Sequence, residues 1–315
     1  MEHKSVLLEE TIDLLNVKGS GIYVDCTLGR GGHSGRLAEK LTDGMLYAFD
    51  KDEQALKESA ANLSSLKDRI VFIHSDFRNI REKLNGLGVM TVDGIMMDLG
   101  VSSPQFDDAE RGFSYRFDNR LDMRMDRSQS KDAWQIVNTY PKDELIRILR
   151  DYGEERYAPR IAAEILKARE EKPVNTTFEL ADLIKAALPA KELRKKGHPA
   201  KKTFQALRIE TNDELGALRE GLINSLEMLN EGGRCAVITF HSLEDRLVKN
   251  IFKDYSSAPF VEPKVPLKAE QMEQASFRLV NRKPVTASEE ELRENNRSHS
   301  AKLRVIERIR GSTDG

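Results

Sequence analysis

The stretch Gly21-Ile22-Tyr23-Val24-Asp25-Cys26-Thr27-Leu28-Gly29-Arg30-Gly31-Gly32-His33-Ser34-Gly35 decides the fold. Residues 22–26 form an apolar run too short for a helix, and it stops on a glycine-rich turn, as a buried strand does when it feeds a loop. A helix is expected behind the turn over 35–41. The pattern then recurs in kind. Met45-Leu46-Tyr47-Ala48-Phe49 closes on Asp50 and is followed by a helical segment over 53–66, while 70–74 and 94–98 read as a third and a fourth strand. Continuous apolar runs alternating with helical patterns specify a parallel sheet covered on both faces, hence an α/β architecture.

That alternation stops after Gly100. Over 106–205 the chain offers short charged helices, such as 142–150 and 160–169, punctuated by Pro141, Pro159, Pro173, Pro189 and Pro199. The α/β pattern resumes with a helix over 214–229, a stop at Gly232-Gly233, a strand over 235–240, a helix over 243–255 and two late strands over 277–280 and 303–309. The economical division is one sheet domain built from 1–105 and 206–315, with a mostly helical domain inserted over 106–205. Its crossovers are expected to be right-handed.

Composition excludes several classes. The 315 residues carry 50 Lys and Arg against 52 Asp and Glu, a net charge of −2. A globally basic nucleic-acid binder is thereby excluded, but a local basic patch is not. Cys26 and Cys235 lie far apart and form no CxxC pair, so neither a disulfide framework nor a cysteine zinc site is expected, and the compartment reads as reducing cytosol. The six histidines show no metal-ligand spacing. The start Met1-Glu2-His3-Lys4-Ser5-Val6-Leu7-Leu8-Glu9-Glu10 carries acids where a signal peptide needs a basic start and an unbroken apolar core, and no apolar run reaches the roughly 18 residues that span a bilayer.

Ligands of open parallel sheets sit at the carboxyl ends of the strands, where the loop and its acids fall. Glycines at 29, 31 and 32 let backbone approach a ligand closely, and the following helix offers its N-terminal amides. Asp50 follows at the spacing from which a second-strand acid accepts from ribose hydroxyls, although alone it reads equally as a helix N-cap. The dinucleotide pattern G-x-G-x-x-G fails by one residue, because Ser34 stands at the sixth position. Asp25, Asp50, Asp76 and Asp98 all fall at or just after strand ends. Four acids at one mouth favour a cofactor with a positive centre, such as S-adenosylmethionine, over a diphosphate, unless they are capping helices or paired with Lys51 or Arg78.

Longer strings then become informative: Thr27-Leu28-Gly29-Arg30-Gly31-Gly32-His33-Ser34, Asp98-Leu99-Gly100-Val101-Ser102-Ser103-Pro104-Gln105, Arg111-Gly112-Phe113-Ser114, and Leu121-Asp122-Met123-Arg124-Met125-Asp126. They continue with Tyr152-Gly153-Glu154-Glu155-Arg156, Thr203-Phe204-Gln205-Ala206-Leu207-Arg208-Ile209, Phe240-His241-Ser242-Leu243-Glu244-Asp245-Arg246 and Ala301-Lys302-Leu303-Arg304-Val305. This ordered set closely resembles the bacterial 16S ribosomal RNA cytosine-N4 methyltransferase family, over nearly the whole chain. The resemblance implies a class I S-adenosylmethionine-dependent methyltransferase sheet, Rossmann-like, with an inserted helical substrate domain. It also implies transfer of a methyl group to the exocyclic N4 of a cytosine in the decoding region, with the assembled small ribosomal subunit as substrate. Carried over by position, the cofactor contacts fall on Gly31, Gly32, His33, Asp50, Phe77, Asp98 and Gln105. Phe77 would stack on adenine, where composition alone would make it core.

Amino methyltransferases of this class commonly place an Asp, Asn or Ser, two prolines and an aromatic after the fourth strand. Here that place reads Ser102-Ser103-Pro104-Gln105-Phe106, with one proline and a displaced aromatic. The expected roles are therefore N4 orientation by Ser103 and the backbone at Pro104, cofactor holding and charge compensation by Asp98, and either base stacking or core filling by Phe106. His241, after the fifth strand, is the candidate proton acceptor, with a structural histidine as its alternative. For RNA, residues 191–208 hold seven basic residues against Glu192. Lys195, Lys196, Lys201, Lys202 and Arg208 are the expected phosphate contacts, and a solvated charged face is the alternative. Residues 121–127 alternate in sign and read as an internal salt-bridged turn or a cofactor-side lid.

Overall fold

Seven strands are seen in the computed structural model, which describes residues 5–101, 105–106, 108–258 and 275–310: β1 (Ile22–Asp25), β2 (Met45–Asp50), β3 (Ile70–His74), β4 (Val92–Asp98), β5 (Leu229–Thr239), β6 (Phe277–Leu279) and β7 (Lys302–Arg308). They form one sheet in the order β3-β2-β1-β4-β5-β7-β6. The pairs among β1 to β5 are parallel, and β7 runs antiparallel to both β5 and β6. That order, with its one reversed strand, is the class I Rossmann-like methyltransferase sheet. The chain winds outward from β1 to β3 and then returns to lay β4 on the other side of β1. The β1–β4 boundary is thus the switch point at whose carboxyl edge ligands bind.

Alternate strand residues serve opposite faces. Val24, Ile95, Met97, Cys235 and Val237 pack with Leu218, Leu222 and Leu226 of the helix Glu214–Met228 and with Val248, Ile251 and Phe252 of the helix Ser242–Tyr255. Tyr23, Leu46, Met96, Ala236 and Ile238 pack on the other face with Ile12 and Leu15 of the helix Leu8–Leu15 and with Leu37 of the helix Gly32–Glu39. Both faces of the central strands are dry, which is why their sequences read as unbroken apolar runs.

Three expectations change. The helix after the glycine turn begins at Gly32, because Gly31 adopts φ +78° and caps it. The glycine pair at 232–233 does not separate helix from strand. It lies inside β5, where pairing jumps from Leu229 opposite Val92 to Arg234 opposite Gly94, and the extra residues form an irregularity. The inserted unit runs Val101–Glu214, beginning earlier and ending later than 106–205. A boundary at 205 would cut the helix Lys201–Asn212, whose Phe204, Ala206 and Leu207 belong to the core of that unit.

This second unit is helical, with Lys142–Asp151, Ala158–Glu171, Thr177–Ala187 and Lys201–Asn212 around a core that includes Ile148, Ile161, Leu180 and Leu207. Pro159 lies in the first turn of its helix, where a missing amide proton costs nothing. Phe106 packs against this core, in keeping with the core-filler alternative. Residues 121–127 form an internal turn. Arg124 forks onto Asp122 at 2.7 and 2.8 Å, and buried Arg111 donates to the carbonyls of Arg124 and Met125.

Candidate functional site

The end of β1 is stitched to its neighbours through side chains. Thr27 donates its amide to Asp25 Oδ1 at 2.9 Å, and its Oγ1 accepts the Asp98 amide at 2.6 Å, so the tips of β1 and β4 are held together. Gly29, at φ +52°, donates its amide to Asp50 Oδ2 at 2.9 Å, and its carbonyl accepts from Ser59 Oγ at 2.7 Å. A Cβ on Gly31 would lie 2.8 Å from Leu63 Cδ1, so this position requires glycine for space as well as for its left-handed backbone.

The four strand-end acids prove to have four different situations. Asp25 is buried and accepts from Ser34 Oγ at 2.7 Å; burial, aided by the Asp50 charge, pushes its carboxyl up to about 6 against the Ser34 and Thr27 hydrogen bonds. Asp50 accepts the amides of Gly29 and Asp52, one on each oxygen, and burial raises its carboxyl despite those bonds. It does not cap the following helix; Asp52 does, accepting from Gln54 at 3.1 Å. Asp76 caps the short turn Phe77–Asn79 and lies within ion-pair reach of Lys51 and Arg78, so it is spent on structure.

Asp98 is the exception. Its side chain is 28% exposed overall, yet its Oδ1 is covered and accepts no hydrogen bond among the described residues. Its carboxyl is pushed up to about 7, chiefly by burial, then by the Asp25 charge and more weakly by Glu244, with the Arg297 charge opposing. Oδ2 lies 3.7 Å from Nδ1 of buried His33, whose Nε2 is 3.1 Å from the Val6 carbonyl. A buried carboxylate oxygen without a donor suits a cationic, hydrogen-bonding ligand group. Asp50, on the far side of the glycine turn, keeps lone pairs for hydroxyls. The residues at this edge therefore fit a ligand that carries ribose hydroxyls at one end and a cation at the other.

The remaining expected residues separate. Phe77 is half-buried, with one side of its ring against Gly221, where any Cβ would collide with it. His241 is the N-cap of the helix Ser242–Tyr255. Its Nδ1 accepts the Glu244 amide at 3.4 Å, and Glu244 Oε2 reaches back to the amides of Phe240 and His241. His241 Nε2 lies 3.0 Å from Glu244 Oε1, an ion-pair distance, but without the alignment of a hydrogen bond. The imidazole is thus engaged as a cap, in line with the structural alternative. Gln105 is buried within the second unit. Ser103 and Pro104 lie outside the described residues.

In the basic run, Lys195, Lys196, Lys201 and Lys202 are exposed. Arg208 is not part of that surface: only 17% exposed, it forks onto Glu214 at 2.8 and 2.9 Å. Its expected phosphate contact is replaced by an internal ion pair. Sequence reading also passed over Thr27, Ser34 and Ser59, whose hydroxyls lock the glycine turn. For Ser34 a signal existed: the serine that breaks the dinucleotide pattern is the group that satisfies Asp25.

Comparison with known proteins gives a consistent result. The profile of the MraW methylase family matches residues 1–309. A protein of Exiguobacterium sibiricum named ribosomal RNA small subunit methyltransferase H is 51% identical over 311 residues, covering 99% of each chain. A protein of the same name from Streptococcus dysgalactiae subsp. equisimilis is 53% identical over 311 residues, covering 98% of each. An rRNA methylase of known structure from Streptococcus thermophilus superposes with a TM-score of 0.44 at 13% identity, over 98% of this chain and 100% of that one.

Proposed function

The chain belongs to the MraW methylase family, and from that premise we propose that it is a cytoplasmic, S-adenosylmethionine-dependent methyltransferase of small-subunit ribosomal RNA. Its acceptor is the exocyclic N4 of a cytosine in the decoding region of 16S rRNA, within the small ribosomal subunit. The observation that carries this reading is the pairing at the switch point of Asp50, fixed on the Gly29 amide, with Asp98, whose Oδ1 has no donor among the described residues.

When bound, S-adenosylmethionine supplies an activated methyl group on a positively charged sulfur. Asp50 accepts from the ribose hydroxyls, and Asp98 accepts from the ammonium of the methionine end and compensates its charge. Gly31 and Gly32 are assigned backbone contacts there, and His33 Nδ1 lies 3.7 Å from Asp98 Oδ2. Phe77, half-buried against the core, is assigned the adenine. The N4 lone pair of cytosine is delocalised into the ring, so the base must leave its stack and find acceptors that localise charge on nitrogen. Ser103 and the backbone at Pro104 are assigned that orientation. The proton released from N4 passes to solvent, since the His241 ring is engaged as a cap. Exposed lysines at 195, 196, 201 and 202 contact RNA phosphates.

Incubation with methyl-labelled S-adenosylmethionine and either naked 16S rRNA or assembled small subunits, followed by digestion to nucleosides, tests this. Label is expected on N4-methylcytidine alone and preferentially from the assembled subunit. Label on another nucleoside, or no transfer to either substrate, rejects the assignment.

A further inference from the structure

We propose that the RNA-contacting surface of the second unit is wider than the lysine-rich run and includes Arg156 and Arg160, which are held on the ring of Tyr157 and joined to that run through Glu192. This rests on the RNA methyltransferase reading and adds to it the residues that grip the phosphodiester backbone.

Two stretches far apart in sequence converge here. Arg156 and Arg160 are exposed, and each guanidinium lies at the Tyr157 ring, 5.9 and 6.0 Å from its centroid. The Tyr157 hydroxyl donates to Glu192 Oε1 at 3.4 Å, and Glu192 Oε2 holds Lys195 at 2.7 Å. Lys202 Nζ donates to the Glu154 carbonyl at 2.8 Å, a second tie between the same two stretches. Glu155, the acid between Glu154 and Arg156, is buried and turned onto the Tyr157 amide at 2.8 Å, so its charge is withdrawn from the surface.

Among the described residues, Arg156, Arg160, Lys191, Arg194, Lys196 and Lys201 make no ion pair with a carboxylate. Cations left unpaired repel one another and keep their affinity for an anionic partner. A ring that holds two guanidinium groups in place lowers the entropy lost when they meet phosphates. Glu192 is the fastener between the two stretches rather than a counter-charge for the whole surface.

The test uses the full-length chain with Arg156→Gln plus Arg160→Gln, and as control Lys57→Gln plus Lys67→Gln, which remove the same charge from exposed positions of the sheet unit. Binding to small subunits and to naked 16S rRNA is titrated against salt. Two lost single-strand phosphate contacts should flatten the slope of log K against log salt by about 1.4. The arginine variant should show this flatter slope and about a tenfold higher KM for RNA at 150 mM salt, with kcat, S-adenosylmethionine affinity and melting temperature unchanged. The control should keep the wild-type slope. An arginine variant with the wild-type slope, or a control that falls equally, overturns the surface assignment. A wild-type protein without salt-dependent RNA binding instead overturns the RNA reading beneath it.

Discussion

Burial and the Asp25 charge hold Asp98 toward its neutral form. Its carboxyl, raised to about 7, is protonated in the folded protein at pH values where the unfolded chain has already lost the proton. The stability linked to this group is therefore full below the ordinary carboxyl value and is lost as pH rises through about 7. A cation at Oδ1 reverses the preference, so S-adenosylmethionine should bind more tightly as pH climbs to about 7 and level off above it, with proton release on binding near pH 6. Calorimetry in buffers of different ionisation enthalpy measures that release. Asp98→Asn should lose at least tenfold in affinity at pH 8 and show a flat pH profile between 6 and 8; a variant that keeps the wild-type profile would assign the titration to another group. Much of this was readable in advance, since an acid closing each strand is a visible pattern. Which of the four keeps an oxygen without a donor was not, because it depends on Ser34 and Thr27 reaching Asp25, on the Gly29 and Asp52 amides reaching Asp50, and on Lys51 and Arg78 reaching Asp76.

Helix termini do the positioning at the scale of elements. The helix Gly32–Glu39 starts on a left-handed Gly31, and the helix Ser242–Tyr255 starts on a reciprocal His241–Glu244 cap. Removing that cap with His241→Ala should destabilise the protein by about 1 kcal/mol, whereas His241→Asn, a good cap, should restore most of it. Both variants should retain kcat within a few-fold. Loss of kcat in His241→Asn at unchanged melting temperature would instead identify the imidazole as the proton acceptor. Strand cores and the helix Ser242–Tyr255 follow from apolar runs and period, but two elements did not. The amphipathic helix Leu8–Leu15 was masked by its acidic start, and its entry residue Leu7 is buried at φ +51° with its amide on Glu291 Oε1 at 2.9 Å, a contact that no local pattern announces. The irregularity in β5 escaped for a similar reason: Gly232-Gly233 signals a stop, and only pairing with β4 turns it into an excursion.

At the scale of the molecule, the net charge of −2 averages over local groupings, among them the strand-end acids of one unit and the exposed basic run of the other. Ligand binding to the acidic edge should therefore be visible in the melting of the whole chain. S-adenosylmethionine at one hundred times its Kd should stabilise the folded state by about 2.7 kcal/mol. Because affinity rises as Asp98 ionises, melts at pH 6 and pH 8 with one fixed ligand concentration should show the larger ligand-induced rise at pH 8. Equal rises at both pH values would contradict the assignment of Asp98 to the cationic end. The placement of β4 beside β5 carries a consequence for synthesis. The first four strands leave the ribosome before the inserted unit, and β5 follows only after it, so the nascent sheet stands with the β4 edge unpaired while another 130 residues are made, by the difference between Asp98 and Leu229. An open apolar edge is a template for unwanted pairing. Translation speed across the inserted unit thus sets how long a growing chain remains exposed to aggregation, and a helical unit that folds from local contacts is well suited to fill that interval.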